Sequence, residues 1–216
     1  MPAYVQPPPP PGPVYLIGDS HTVGGFGGEL RTRLALAGRR VQTLAVVGWH
    51  ISDASAALEA RPLDALDAGA IALVVVALGH NDWGGPPSAV QRSAERLAAL
   101  VEQQAPTARL VWVGPPKTLK SDGRKATEGI AAALAVRPRW TWVDSRPITG
   151  SLPTGADGIL FGAVAGAAWA AAVWTALALG DAAKKASSSS AGRWVVGVLG
   201  GGLLLGTLLL ARGRRR

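Results

Sequence analysis

The chain has 216 residues, of which 48% are hydrophobic and 17% charged, and it contains no cysteine. This length suffices for one domain with a buried core, and the lack of cysteine excludes disulfide scaffolds, cysteine-ligated metal sites and thiol nucleophiles. The net charge of +8 is unevenly distributed: residues 1–180 hold 15 Lys and Arg against 13 Asp and Glu, whereas residues 181–216 hold 7 against 1. Because the basic excess belongs to the C-terminal tail, the composition argues against a nucleic-acid-binding domain.

Residues 1–13 form a proline-rich N-terminal arm that includes five consecutive prolines, Pro7 to Pro11. Proline fixes φ and carries no backbone N–H, so this run predicts an extended polyproline II spacer. The arm has neither the basic start nor the apolar core of a signal peptide. We therefore expect the folded domain to begin at residue 14.

Residues 14–180 alternate between apolar runs and helical patterns. The predicted strands are Val14–Ile17, Val41–Val47, Ile71–Leu78, Leu110–Val113 and Trp140–Val143. The predicted helices are Glu29–Ala37 with Gly38 as its C-cap, Ser52–Leu66 interrupted at Pro62, Ala89–Gln104 with a Ser88/Gln91 capping box, and Thr127–Val136. The uninterrupted β-branched third strand is typical of a parallel strand buried on both faces. The pattern predicts one doubly wound, three-layer α/β domain with a five-stranded parallel sheet.

The unusual residues of this domain follow the predicted strands. GDSHTVGG follows the first strand, GWH the second and GHNDWGG the third, while residues 144–162 follow the fifth. All three histidines, His21, His50 and His80, lie on these loops. Ligands of doubly wound sheets bind outside the carboxyl ends of the strands, so the sequence predicts a functional site at this edge.

The same loops resemble the SGNH (GDSL-type) hydrolases, which cleave ester and related acyl bonds on lipids and glycans. The resemblance covers residues 14–179 and rests on Gly-Asp-Ser at 18–20, a glycine at Gly48 and Gly-x-Asn-Asp at 79–82. The family's fourth motif, Asp-x-x-His, corresponds here to Asp157-Gly158-Ile159-Leu160. The resemblance implies the SGNH three-layer fold and a serine-based acyl-transfer site.

By this resemblance Ser20 is the nucleophile, and the oxyanion hole comprises the N–H groups of Ser20 and Gly48 and the side-chain amide of Asn81. Asp157 corresponds to the carboxylate that orients the family's catalytic histidine. Leu160 occupies that histidine's place, and no histidine follows His80. An aspartate is a poor substitute, because an ordinary carboxylate is a weak base at neutral pH.

Two interpretations follow from the missing base. In the first, the domain has lost efficient catalysis and acts as a glycan-binding, cell-envelope or structural protein, for example in a virion membrane. In the second, it is an active serine esterase or deacetylase on glycan or lipid esters, with His50 or His80 as a relocated base. Trp49 and Trp83 flank the same loops and are candidates for stacking on a sugar ring.

We expect no cofactor and no metal site. The three histidines lie on three separate loops and lack the helical spacing of a zinc-binding motif.

The C-terminal region predicts a membrane anchor. Residues 181–193 form a Lys/Ser-rich linker, residues 194–211 an uncharged segment, and residues 212–216 a basic tail. Eighteen residues at 1.5 Å per residue span about 27 Å, enough for a single transmembrane helix in a cellular or viral membrane. Basic residues on both sides leave the orientation open.

The predicted span also contains two GxxxG pairs, Gly197/Gly201 and Gly202/Gly206. Such spacing lets two membrane helices approach closely, so self-association is a further hypothesis.

Residues 159–179 form a second uncharged stretch. By length this stretch is an alternative second span. More than half of its residues are Ala, Gly or Thr, which favours instead the last helix of the domain, packed on the sheet.

Overall fold

The computed structural model describes residues 12–63 and 71–189, with side chains described as far as Leu177 in the last helix. The strands are β1 (Val14–Gly18), β2 (Val41–Ala45), β3 (Leu73–Ala77), β4 (Arg109–Val113) and β5 (Trp140–Val143). The helices are α1 (Ser20–Val23), α2 (Gly25–Leu36), α3 (Ile51–Ala60), α4 (Pro87–Gln104), α5 (Arg124–Ala135), α6 (Arg146–Thr149) and α7 (Ala163–Ser189). The five strands are all parallel, in the order β2-β1-β3-β4-β5. This confirms the predicted α/β fold.

Both faces of the sheet are covered by helices. Successive strand residues point to opposite faces, so Val74 and Val76 pack with α3, α4 and α5, whereas Val75 and Ala77 pack with α2 and α7. Burial on both sides explains why the sequence of β3 is continuously apolar instead of alternating.

The end of α2 follows the prediction, while its start does not. Gly38 has φ +75°, its N–H donates to the carbonyl of Ala35, and the N–H of Arg39 donates to the carbonyl of Leu34. This pair of bonds is a Schellman motif, which favours glycine because the left-handed conformation disfavours a side chain. The helix begins at Gly25 and not at Glu29, because close packing overrides the low helix propensity of its glycines.

Two other helix boundaries are set by proline. The predicted Ser88/Gln91 capping box is wrong: α4 begins at Pro87, whose fixed φ suits the first helical turn, and Pro86 is the N-cap. Helix α3 ends at Ala60, in agreement with the predicted interruption at Pro62. Pro62 excludes the helical conformation at Arg61, which is extended (φ −144°, ψ 91°).

Helix α7 packs on the sheet, as expected for the last helix of the domain. Its buried residues include Trp169, Val173 and Leu177, and the Arg109 guanidinium at the start of β4 donates to the Leu177 carbonyl at 2.8 Å. Within residues 12–63 and 71–189, no helix combines the length and apolarity that a membrane crossing requires.

Helix α7 continues to Ser189, into the segment predicted to be a linker. The predicted membrane span at 194–211, its two GxxxG pairs, the basic tail and most of the proline-rich arm lie outside the described residues.

Helices α2 and α7 approach closely at Gly166, which generates a stability prediction. A Cβ at Gly166 would lie 2.7 Å from the carbonyl carbon of Gly25 and from the nitrogen of Phe26. Because backbone cannot move aside easily, Gly166→Ala should lower the free energy of unfolding by about 1–3 kcal/mol, despite the better helix propensity of alanine. Urea unfolding followed by tryptophan fluorescence measures this. Gly162→Ala, where a Cβ meets nothing within 4 Å, is the matched control. Equal midpoints for the two variants would contradict the prediction.

Candidate active site

The loops that follow β2 and β3 contact each other at the carboxyl edge of the sheet. The side-chain amide of Asn81 donates to the Trp49 carbonyl at 2.8 Å, and the Ile51 N–H donates to Asp82 Oδ2 at 3.2 Å. β2 and β3 are not neighbours in the sheet, because β1 lies between them. These bonds therefore bridge the two loops that flank the end of β1, where Ser20 begins α1.

A tight turn between β1 and α1 positions Ser20. Asp19 is the N-cap of α1, and its Oδ1 accepts the His21 N–H at 3.0 Å. A Cβ at Gly18 would lie 1.9 Å from Thr22 Oγ1 and 2.9 Å from the Ala77 carbonyl oxygen. Only glycine fits this turn, which places the half-buried Ser20 directly after the strand.

The structure places the three predicted oxyanion donors on three adjacent loops. Gly48 is exposed and has φ +83°, a conformation that favours glycine. Asn81 is held by its bond to the Trp49 carbonyl, and since a side-chain amide carries two N–H groups, one remains for a ligand. The role of these groups, with the Ser20 N–H, as an oxyanion hole stays a prediction.

Asp157 and Leu160 lie on the loop before α7. The next residue, Phe161, contacts His21, which directly follows Ser20, with ring centroids 5.8 Å apart. Asp157 is fully exposed, and its Oδ1 accepts the N–H groups of Ile159 at 2.9 Å and Leu160 at 3.0 Å. These hydrogen bonds hold the pKa of the Asp157 carboxyl below its ordinary value. Leu160 is 39% exposed. The carboxylate therefore stabilises the turn of its own loop.

His21 and His80 are packed side chains. Each is 4% exposed, and their ring centroids lie 4.9 Å apart in an edge-on arrangement. Burial lowers the pKa of His21 to about 3, with the neighbouring His80 adding to the effect, and burial also lowers the pKa of His80. Both imidazoles are thus neutral at pH 7. Their burial argues against His80 as a base for a ligand in the cleft.

These two histidines and Asp19 line a cavity of ≈ 10 Å³, which is about the volume of one water site. Burial raises the pKa of Asp19 to about 7, and the charge of Asp82 adds to this, while the His21 N–H acts against it. His21 Nε2 and His80 Nδ1 have no hydrogen-bond partner among the described residues. The sequence analysis missed this buried titratable cluster. Its only signal in the sequence was a histidine directly after the Gly-Asp-Ser motif and another within the Gly-x-Asn-Asp motif.

His50 differs from the other two histidines in being both open to solvent and held by a carboxylate. It is the N-cap of α3, and its backbone N–H donates to Asp53 Oδ2 at 2.8 Å. Its Nδ1 lies 3.5 Å from Asp82 Oδ1, and the two side chains are 51% and 12% exposed. Burial raises the pKa of Asp82, against the effects of the Ile51 N–H and of His50. The sequence analysis matched Asp82 only as the last residue of the Gly-x-Asn-Asp motif and gave it no role.

The two candidate binding tryptophans have different surroundings. Trp49 is partly buried against the core that lies beneath α3, whereas Trp83 is 53% exposed. Only Trp83 thus offers a large free ring face near the cleft.

In the part of the chain that the structure describes, no group of three or more His, Asp or Glu side chains is arranged to hold a metal ion.

The buried cluster predicts an unusual pH dependence of stability. The raised pKa of Asp19 gives a stabilising contribution that is present at low pH and lost as the pH rises from about 4 to about 7. The lowered pKa of His21 gives one that is present above pH 6.5 and lost as the pH falls toward 3. The Asp19→Asn variant lacks only the contribution of Asp19 and keeps that of His21. Its free energy of unfolding should therefore fall more steeply than that of the wild type between pH 7 and pH 4.

Urea unfolding at several pH values measures this difference. Asp122→Asn, which changes an exposed carboxylate that also accepts a backbone N–H, is the control and should keep the wild-type slope. Parallel curves for Asp19→Asn and the wild type would contradict the prediction.

Comparison with known proteins agrees with this architecture. The model of the GDSL-like Lipase/Acylhydrolase family matches residues 16–176, whereas comparison with curated protein sequences gave no match. A lipase/acylhydrolase from Enterococcus faecalis is 16% identical with a TM-score of 0.60, and 77% of this chain and 95% of that chain are covered.

Two further solved structures have the same fold. The C-terminal catalytic domain of the peptidoglycan O-acetyltransferase A of Streptococcus pneumoniae is 19% identical, with a TM-score of 0.55 over 79% of this chain and 95% of that chain. A family 3 carbohydrate esterase from Clostridium thermocellum is 15% identical, with a TM-score of 0.60 over 75% and 92%. With the family match over residues 16–176 and the turn, loops and parallel sheet described above, the chain belongs to the GDSL-like lipase/acylhydrolase family.

Proposed function

We propose that the domain binds an acyl-ester ligand at the Ser20 cleft and has lost efficient hydrolysis. The observation that carries this proposal is the geometry of the loop at 157–160. By the motif resemblance Leu160 stands where the family has its base, and two backbone N–H groups of that loop donate to Asp157 Oδ1. The loops that carry Ser20, Gly48 and Asn81 remain in place.

Binding and turnover depend on different groups in such a site. N–H donors can hold a carbonyl oxygen of the ligand without any base. The Ser20 hydroxyl, by contrast, is a weak nucleophile until a base removes its proton. Removing a member of a catalytic triad costs on the order of 10⁴ to 10⁶ in turnover, so a domain lacking the usual base is expected to bind better than it hydrolyses.

A glycan ester is the ligand class that we favour. The exposed ring of Trp83 at the cleft suits stacking on a sugar face. Two proteins of the same fold, named above as a peptidoglycan O-acetyltransferase and a carbohydrate esterase, provide precedent for carbohydrate ligands on this architecture. The proposed role is therefore a glycan-binding or structural component of a cell envelope or of a virion membrane.

An active serine esterase or deacetylase, acting on glycan or lipid esters, is the second candidate function. The observation that favours it is the pairing of the solvent-open His50 with Asp82, because a histidine held by a carboxylate is the arrangement that activates a serine.

Membrane attachment through residues 194–211 is part of the proposal, with lipid as the partner and self-association through the GxxxG pairs as a further possibility. The full chain should remain in the membrane pellet after carbonate washing, whereas a chain ending at Ser189 should be released. The reason is that only the full chain has an uncharged segment of bilayer length after α7. Co-sedimentation of both chains, or release of both, would contradict the anchor.

Restoring the missing base should restore turnover. Leu160→His places an imidazole three residues after Asp157, and because Leu160 is 39% exposed the cost in stability should be within about 0.5 kcal/mol. We expect ester hydrolysis to rise at least ~100-fold, since even an imperfect general base contributes 10² to 10⁴. Hydrolysis of p-nitrophenyl acetate by the full chain measures this.

The double variant Ser20→Ala, Leu160→His is the control and should lose the entire gain. A folded Leu160→His protein with the wild-type rate would show that the loop does not present residue 160 to Ser20. A wild-type protein that already turns over at the rate of an efficient esterase would contradict the loss of catalysis.

A further inference from the structure

We propose that His50 is the general base for the slow Ser20-dependent hydrolysis and that Asp82 is the carboxylate that positions it. This inference rests on the proposed function in one respect: Ser20 must still attack a bound ester. It replaces the family's base, which belongs to the loop at 157–160, with a His–Asp pair made by the loops that follow β2 and β3.

The location of the pair follows from the sheet order. β1 lies between β2 and β3, with Gly18 in register with Ala45 on one side and with Ala77 on the other. The Val46 N–H donates to the Gly18 carbonyl at 3.2 Å, which extends the pairing of β1 with β2 by one residue. The loops carrying His50 and Asp82 therefore start level with the turn that carries Ser20 and meet across it.

Electrostatics agrees with this location. The negative charge of Asp82 contributes to the raised pKa of Asp19, the residue directly before Ser20. The field of Asp82 thus reaches the Ser20 turn.

Asp82 is a better orienting group than Asp157. Its Oδ2 accepts the Ile51 N–H, which fixes the carboxylate, and its Oδ1 faces His50 Nδ1 at 3.5 Å. Its side chain is mostly buried, so its charge is less screened by solvent than that of the fully exposed Asp157. A carboxylate at Nδ1 leaves Nε2 of the imidazole as the position that exchanges a proton, which is the arrangement of a serine–histidine–aspartate triad.

The other histidines lack these features. His21 and His80 contact each other in the interior and line the same small cavity, and His21 Nε2 and His80 Nδ1 have no hydrogen-bond partner among the described residues. Burial already holds both rings in the neutral form, so taking up a proton from Ser20 would place a charge in the core. His50 differs from both, because half of its side chain faces solvent and its Nδ1 faces Asp82.

The proton and bond changes balance without any further reactant than the ester and water. His50 Nε2 takes the Ser20 hydroxyl proton as Oγ bonds to the carbonyl carbon, and the same proton passes to the alkoxy oxygen as the carbon–oxygen bond breaks and the alcohol leaves. A water molecule then gives a proton to His50 while its oxygen attacks the acyl carbon. That proton returns to Ser20 Oγ as the acid is released.

The test compares the Ser20-dependent rate in full-length variants, defined as the p-nitrophenyl acetate hydrolysis that Ser20→Ala abolishes. His50→Gln, which keeps a polar side chain but has no base, should lower this rate at least ~100-fold. It should slow labelling of Ser20 by a fluorophosphonate, followed by mass spectrometry, to the same extent. It should also remove the loss of rate on acidification that an imidazole base imposes.

Asp82 is tested as a positioning residue through the conservative pair Asp82→Asn and Asp82→Glu. Asp82→Asn should lower the rate and change its pH profile, whereas Asp82→Glu, which restores a carboxylate, should recover part of the rate. Glu59→Gln is the matched control. Glu59 lies on α3, the helix that His50 caps, and its carboxylate forms an exposed ion pair with Arg96. The rate of the Glu59→Gln variant should equal that of the wild type.

Two results would overturn the inference: a folded His50→Gln protein with the wild-type Ser20-dependent rate, or a wild type with no Ser20-dependent rate at all. The proposed function fails separately. An efficient wild-type enzyme would contradict the loss of catalysis but not the assignment of His50. In that case the rate of the His50→Gln variant still tests whether His50 is the base.

Discussion

The turn from β1 into α1 is the constraint on which the site depends. Gly18 leaves no room for a side chain between Thr22 and the backbone of β3, so the chain must turn there within two residues. The turn exposes Ser20 at the carboxyl end of the central part of the sheet while burying its neighbours Asp19 and His21. The neighbouring strands then bring their own loops to the same edge, because parallel strands all end on one side.

The burial of Asp19, His21 and His80 shows how closely the core approaches this site. A carboxyl and two imidazoles occupy positions where an apolar side chain would cost less desolvation, and two of their nitrogens are unpartnered among the described residues. Their pKa values move in opposite directions, since burial disfavours the negative form of Asp19 and the positive form of His21. Burial therefore keeps the two imidazoles neutral at pH 7, whereas the Asp19 carboxyl changes its charge around that pH.

Under the proposed function, the loss of the usual base is a local change in an otherwise preserved scaffold. Asp157 and Leu160 lie on the loop before α7, and the following residue, Phe161, contacts His21 beside Ser20. Asp157 accepts two backbone N–H groups of its own loop. Such a site separates two properties that an efficient hydrolase combines: the ability to hold a carbonyl group and the ability to activate the serine.

The sequence by itself determined the fold class, the five strands to within about two residues at each end, and the loops that carry Ser20, Gly48 and Asn81. It could do so because burial on both faces imposes continuous apolar runs and tight turns impose glycines, both of which are local signals. Helix starts were less predictable, since Pro87 and the packing of Gly25 and Gly27 outweighed capping and propensity. Only the tertiary structure distinguished the three histidines. The contacts of His21 with His80, and of His50 with Asp82, join residues about 30 to 60 positions apart, so no spacing in the sequence encodes which ring is buried and which one faces a carboxylate.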